Sequence, residues 1–166
     1  MQSTRIQKRI VNEIKKLKER PSHMFHAEAL PDNLYEWHFT LRGMENSPYE
    51  EGLYHGVILL PRDYPLKGPD IRFMTENGRF EVGVNICLSN TSYHPESWSP
   101  LWNVRNILEA LDTFFLDKEI GIGSLIKSDE VRKELAKKSR SFICKKCGSV
   151  LDQEKKMLPR LNHTNN

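Results

Sequence analysis

The chain has 166 residues, 38% hydrophobic and 28% charged, which suits one soluble globular domain with a sizeable core and excludes a largely disordered chain. A net charge of only +3 argues against a nucleic-acid-binding molecule, and three cysteines are too few for a disulfide framework and suit a reducing, cytoplasmic compartment. The opening MQSTRIQKRI lacks the apolar stretch of a secretory signal, and no apolar run approaches the roughly 20 residues that span a bilayer, so no membrane segment is expected in this chain.

Residues 4–19 read as an amphipathic helix, with Ile6, Ile10, Ile14 and Leu17 on one face and Arg5, Lys8, Arg9, Lys15 and Lys16 on the other, ended before Pro21. Residues 34–42, LYEWHFTLR, are aromatic and branched and read as a strand. The turn-prone GMENSPYEEG follows, then the strand LYHGVILL, stopped by Pro61, then a short strand at DIRFM after the loop PRDYPLKGP. Successive strands with short links suggest an antiparallel meander. Residues 75–99 carry no sustained helix or strand pattern; long irregular stretches in compact domains often carry function, and this one contains Cys87.

A buried helix is expected next, with Ser99 as N-cap, Pro100 in its first position, and Val104, Ile107, Leu108, Leu111, Phe114 and Phe115 as a wide apolar face. After the link KEIGIGSL a last helix is expected from about residue 129, capped by Ser128, with Asp129 and Glu130 at its positive end and Val131, Leu135 and Phe142 on its apolar side. Residues 148–166 are polar and read as a frayed tail, which sets an expected boundary between a domain over 1–148 and the start of a linker over 149–166.

Three stretches together resemble the ubiquitin-conjugating enzyme family: SPYEEGLYHGVILLPRDYPLKGPDIRFMT (47–75), NGRFEVGVNICLS (77–89) and WSPLWNVRNILEAL (98–111). Their order and separations fit, and the resemblance covers roughly residues 4–147. Most of that family places His-Pro-Asn before its cysteine and Asp after Cys-Leu; this chain has Thr75-Glu76-Asn77 and Ser89, with His94-Pro95-Glu96 in an extended segment before Trp98. These features are similar to the J subgroup, the tail-anchored enzymes of endoplasmic-reticulum-associated degradation, although that subgroup generally has Thr-Pro-Asn and Glu76 departs from it. The resemblance implies an α+β fold: a four-stranded antiparallel meander, an N-terminal helix, a central buried helix and one or more C-terminal helices.

Cys87 is the candidate nucleophile, since a thiolate accepts an acyl group from another thioester and such an exchange is nearly balanced, needing no adjacent His-Asp pair. Asn77 is a candidate amide donor to the oxyanion of the later attack, and Asn77-Gly78 is equally a turn signal. Asp117 and His94 are weaker candidates for handling the proton of the incoming nucleophile. The resemblance further implies that Arg5, Lys8 and Arg9 face the activating enzyme, and that Pro65 and Leu66 on one loop and Ser99, Pro100 and Leu101 on another face a ligase. Cys144-Lys-Lys-Cys147 has zinc-ligand spacing, but a tetrahedral site needs four ligands and His163 would add only a third, so reduced thiols and no metal are expected.

The implied activity is transfer of ubiquitin from its activating enzyme, in an ATP-dependent pathway, to Cys87 and on to lysine, or to serine or threonine, of protein substrates. The implied partners are ubiquitin, the activating enzyme, a ligase and substrates, with no cofactor. The implied location is the cytoplasm, at the cytosolic face of the endoplasmic reticulum if the natural protein continues into a C-terminal anchor. A non-catalytic ubiquitin-binding module of the same fold, or a thiol hydrolase, is the competing reading; Cys87 argues against the first and the want of a nearby His-Asp pair against the second.

Overall fold

The computed structural model describes residues 2–86, 98–116 and 124–161. Helix α1 (Gln2–Glu19) precedes four strands, β1 (Phe25–Leu30), β2 (Asn33–Arg42), β3 (Leu53–Leu59) and β4 (Asp70–Phe73), which form one antiparallel meander in chain order. Helices α2 (Val104–Leu116) and α3 (Asp129–Ser139) follow, then a short hairpin, β5 (Ile143–Cys144) and β6 (Gly148–Ser149), and helix α4 (Val150–Glu154). The expected meander, N-terminal helix, buried central helix and C-terminal helices are all present. Strand β1 is an addition to the three strands read from patterning, because FHAEAL lacks β-branched residues and is held by its pairing with β2.

Alternation along β2 and β3 divides the sheet into two unlike faces. Trp37, Phe39 and Leu41 lie opposite Ile58, Gly56 and Tyr54, and with Ile71 and Phe73 they make the apolar face. Helix α2 closes this face: the Phe115 ring meets Tyr49, Tyr54, Phe73 and Phe80 with centroids 4.8–5.4 Å apart. The other face carries His38, Thr40, Arg42 and His55, and all four are buried. The C-terminal segment covers them. Leu53 N–H donates to Ser139 Oγ (2.9 Å), the Phe142 ring lies 5.6 Å from the His55 ring, and Arg42 Nε pairs with Glu154 Oε2 (3.4 Å).

Two expectations are corrected by this arrangement. Helix α2 begins at Val104, not at Pro100: Ser99–Trp102 is a turn closed by Trp102 N–H to Ser99 O (3.0 Å). Asn103 is the cap, its Oδ1 accepting from Asn106 N–H (2.9 Å) while Asn106 Oδ1 accepts from Asn103 N–H (3.2 Å). The turn stays out of the helix because Arg9 holds the carbonyls of Pro100 and Trp102. The segment from residue 148 is not frayed through Leu161: Val150, Gln153 and Met157 are buried, and Leu158 N–H donates to Ser22 O (2.9 Å). Its polar side chains pair with the polar face they cover, which composition alone reads as affinity for water.

On α3, Ser128 caps as expected, accepting from Val131 N–H (3.2 Å), but Val131 itself is exposed and the buried positions are Ala136 and Ser139.

Candidate active site and partner surface

Cys87, His94 and Asp117 lie outside the described residues; the backbone on the near side of Cys87 is described. Val82 bridges Phe73 in parallel, Gly83 N–H donates to Phe73 O (2.9 Å), and Ile86 N–H donates to Ile71 O (2.9 Å). Residues 82–86 thus run beside β4, and Ile86, the neighbour of Cys87, is fully buried. The side chain of an apolar residue in the core and a hydrogen bond to a strand fix where the chain leaves the sheet.

Asn77 sits in the preceding turn with no solvent exposure. Its Oδ1 accepts from the N–H groups of Arg79 (2.9 Å) and Phe80 (2.8 Å), and its Nδ2 donates to Thr75 O (2.9 Å). Thr75 is tied in turn to β3, its Oγ1 accepting from His55 N–H (3.0 Å). Gly78 has φ +80°, so the Asn-Gly pair is the turn its sequence announced. A Cβ at Gly78 would approach Arg132 Cγ to 2.8 Å, and Arg132 Nε donates to Gly78 O (3.0 Å), so α3 presses on the turn from outside. Phe80 then stacks on Phe73 at 5.6 Å and 9°. Asn77 is therefore a brace in this geometry: one buried amide satisfies three backbone groups of an irregular segment that has no ladder to satisfy them.

The two loops expected to meet a ligase come together. Trp98 Nε1 donates to Pro65 O (2.6 Å), and the rings of Tyr64 and Trp98 lie 6.1 Å apart. The Tyr64-Pro65 peptide is cis. Leu66 is 70% exposed and Leu101 88% exposed, with Pro100 exposed beside them, so two bare leucines stand on adjacent pinned loops. Such apolar residues suit a small, transient interface.

Arg9 does not belong to the free basic stripe. It bonds Glu13 Oε2 through Nε (3.0 Å), Pro100 O through Nη1 (2.9 Å) and Trp102 O through Nη2 (2.6 Å). Arg5 and Lys8 are exposed as expected. The residue that patterning passed over is Glu13. It is buried, accepts from Tyr64 Oη (2.6 Å) at Oε2 and from Val104 N–H (2.8 Å) at Oε1, and so joins α1, the Tyr64 loop and the start of α2. Burial and the Glu13 carboxylate hold the Tyr64 hydroxyl well above its ordinary pKa, so it remains a donor. A signal was present: Glu13 falls within the Ile6, Ile10, Ile14 and Leu17 stripe, where a carboxylate needs a reason.

The model of the family described as "Ubiquitin-conjugating enzyme" matches residues 9–142. The chain belongs to the ubiquitin-conjugating enzyme family. It is 50% identical over 145 residues to mouse and human "Ubiquitin-conjugating enzyme E2 J1", covering 87% of this chain and 45% of each relative. It is 42% identical over 142 residues to "Ubiquitin-conjugating enzyme E2 6" of Kluyveromyces lactis, covering 86% of this chain and 57% of that one. The chain thus spans about half the length of the curated relatives it matches. Among solved structures, a Plasmodium yoelii protein assigned to the ubiquitin conjugating enzymes superimposes with a TM-score of 0.60 at 26% identity, over 69% of this chain and 74% of that one. The α+β ubiquitin-conjugating fold follows from the family match and the solved structure, and the likeness to the J relatives from the sequence identities.

Proposed function

We propose that this member of the ubiquitin-conjugating enzymes carries ubiquitin on Cys87. The Cys87 thiolate attacks the thioester carbonyl on the activating enzyme, a new C–S bond forms, and the activating enzyme's thiolate leaves. In the second step a substrate amine, or a serine or threonine hydroxyl, attacks that carbonyl, loses its proton, and expels the Cys87 thiolate. The observation that carries this reading is the anchored Ile86 one residue before Cys87, in a chain half identical to E2 J1. Thioester exchange needs an exposed, fixed sulfur more than a strongly activated one.

Asn77 holds the turn that leads into the segment, and its second role, as an oxyanion donor, is the alternative that kinetics separates. His94 and Asp117 are the candidates for taking the proton of the incoming nucleophile. Arg5 and Lys8 draw in the activating enzyme by charge, while Arg9 keeps the ligase-facing loop in place beneath Leu101. The Leu66 and Leu101 pair, with Pro65, Ser99 and Pro100, is the ligase surface. The setting is endoplasmic-reticulum-associated degradation at the cytosolic face of that membrane, on the strength of the J-subgroup resemblance. Among the described residues no helix is long and apolar enough to cross a membrane.

The test is incubation with activating enzyme, ubiquitin and ATP. A ubiquitin-sized mass increase that a thiol reductant reverses is expected, and Cys87→Ser replaces it with a reductant-stable oxyester or with nothing. A thiol-labile adduct on the Cys87→Ser protein would place the nucleophile at Cys144 or Cys147 instead. No adduct on the wild type would return the chain to a non-catalytic ubiquitin-binding module.

A further inference from the structure

The polar face of the sheet holds an arrangement that the ubiquitin-transfer chemistry does not use. Thr40 lies opposite His55 across β2 and β3, and His38 is two residues from Thr40 on the same face. The β5–β6 hairpin brings Cys144 and Cys147 over these two histidines. One ligating atom from each of His38, His55, Cys144 and Cys147 lies within 4.8 Å of every other, and three of the four residues are buried. The family match ends at residue 142, so the hairpin that completes the group lies beyond it.

The distances fit a tetrahedral cation. With Zn–N near 2.0 Å and Zn–S near 2.3 Å, tetrahedral edges come to roughly 3.3 Å for N···N and roughly 3.5 Å for N···S. Here His38 Nδ1 and His55 Nε2 stand 3.3 Å apart, and Cys144 Sγ and His38 Nδ1 stand 3.6 Å apart. The outward ring nitrogens are also provided for. His38 Nε2–H donates to Glu36 Oε2 (2.8 Å), which Lys146 Nζ approaches from the far side (3.0 Å). His55 Nδ1–H donates to Thr40 Oγ1 (2.9 Å). Each imidazole therefore turns its lone pair toward the sulfurs, with a carboxylate behind His38 and a hydroxyl behind His55, the outer hydrogen bonding that metal-binding histidines show. Two thiolates and two neutral imidazoles cancel a divalent charge, which suits a site with little water.

We propose that His38 Nδ1, His55 Nε2, Cys144 Sγ and Cys147 Sγ bind one zinc(II) ion, a structural site that staples the C-terminal hairpin to the sheet. The cysteine pair alone gives only two ligands. The histidines are separated from it by about a hundred residues of sequence and are supplied by strand register. With four protein ligands the site is closed, so the ion acts in stability and not as a Lewis acid. Binding releases the two thiol protons, so affinity rises with pH.

The test uses the full 166-residue chain, purified without a metal-affinity step from cells supplied with zinc. About one zinc per chain is expected. Exchange for cobalt(II) is expected to give the intense visible bands of tetrahedral cobalt together with near-ultraviolet thiolate-to-cobalt charge transfer. Cys147→Ser, at a half-buried position, is expected to halve that charge transfer and to bind cobalt at least ~10-fold more weakly, the scale of effects around metal sites. Zinc below ~0.1 per chain after zinc supply, or the pale spectrum of six-coordinate cobalt, would overturn the site and leave a hydrogen-bonded His-His-thiol cluster. So would a Cys147→Ser protein with the wild-type spectrum. If Cys147→Ser fails to fold, the wild-type zinc content and cobalt spectrum decide the matter alone.

Discussion

Removing the Glu13 carboxylate should loosen three elements at once. Glu13→Ala deprives the Tyr64 hydroxyl, the Val104 N–H and the Arg9 guanidinium of their shared acceptor. A buried donor left unpaired costs about 1–3 kcal/mol, and breaking a buried ion pair by deleting one partner costs about 3–5 kcal/mol. These overlap, because Arg9 keeps the carbonyls of Pro100 and Trp102 and is partly exposed. A net loss of about 4 kcal/mol is expected. With a urea m-value of about 2 kcal/mol/M for a domain of this size, the unfolding midpoint should fall by about 2 M. Tyr64→Phe removes one partner and leaves the carboxylate with two; about 1–2 kcal/mol is expected. The double variant should lose less than the sum, by about 1–3 kcal/mol, since the two groups are bonded. A Glu13→Ala midpoint within ~0.3 M of wild type would mean the carboxylate is not the joint described here.

Reversing Arg5 and Lys8 to Glu should slow charging by the activating enzyme and flatten its salt dependence, because screening acts over about 8 Å at physiological ionic strength; equal rates across a salt series would refute steering. Asn77→Ala should cost about 2 kcal/mol by stranding the Arg79 and Phe80 N–H groups, and slow loading and discharge together in single-turnover assays. A loss of about 10²–10³ confined to discharge would assign the oxyanion role instead. Burial raises the Asp112 carboxyl to about 7, with Arg160 opposing. The folded state therefore holds a proton that the unfolded state releases above its ordinary value near 3.8, so stability should fall as pH climbs through about 4 to 7 and then level off. Asp112→Asn should flatten that window and gain as much as ~4 kcal/mol at alkaline pH; parallel pH profiles of the two proteins would contradict it.

Strands β2, β3 and β4 were readable because aromatic and branched residues fill them, and α1 because its isoleucines repeat at helical spacing. The Asn77-Gly78 turn was readable because only a few residue types tolerate a positive φ there. Strand β1 was not, since FHAEAL has no strand preference of its own. Neither was the start of α2: Ser99-Pro100 is an ordinary helix opening, and the hold of Arg9 on that turn is a contact across ninety residues. The same reason hid the two histidines on the sheet, His38 and His55, as partners of the Cys144 and Cys147 pair. Alternation marks His38, Thr40 and Arg42 as one face of a strand, but a polar face reads as a solvated one until the segment that covers it is known.

That covered face bears on where the folding unit stops. A chain cut after Phe142, where the family match ends, would keep the apolar core intact and still uncover the polar face, with His38 losing Cys144 and Arg42 losing Glu154 and the Leu158 carbonyl. The boundary of the family match and the thermodynamic one therefore differ. Proteolysis of the folded protein should spare the segment from Val150 to Leu158 and not stop where the family match ends, because that segment unfolds only with the sheet beneath it.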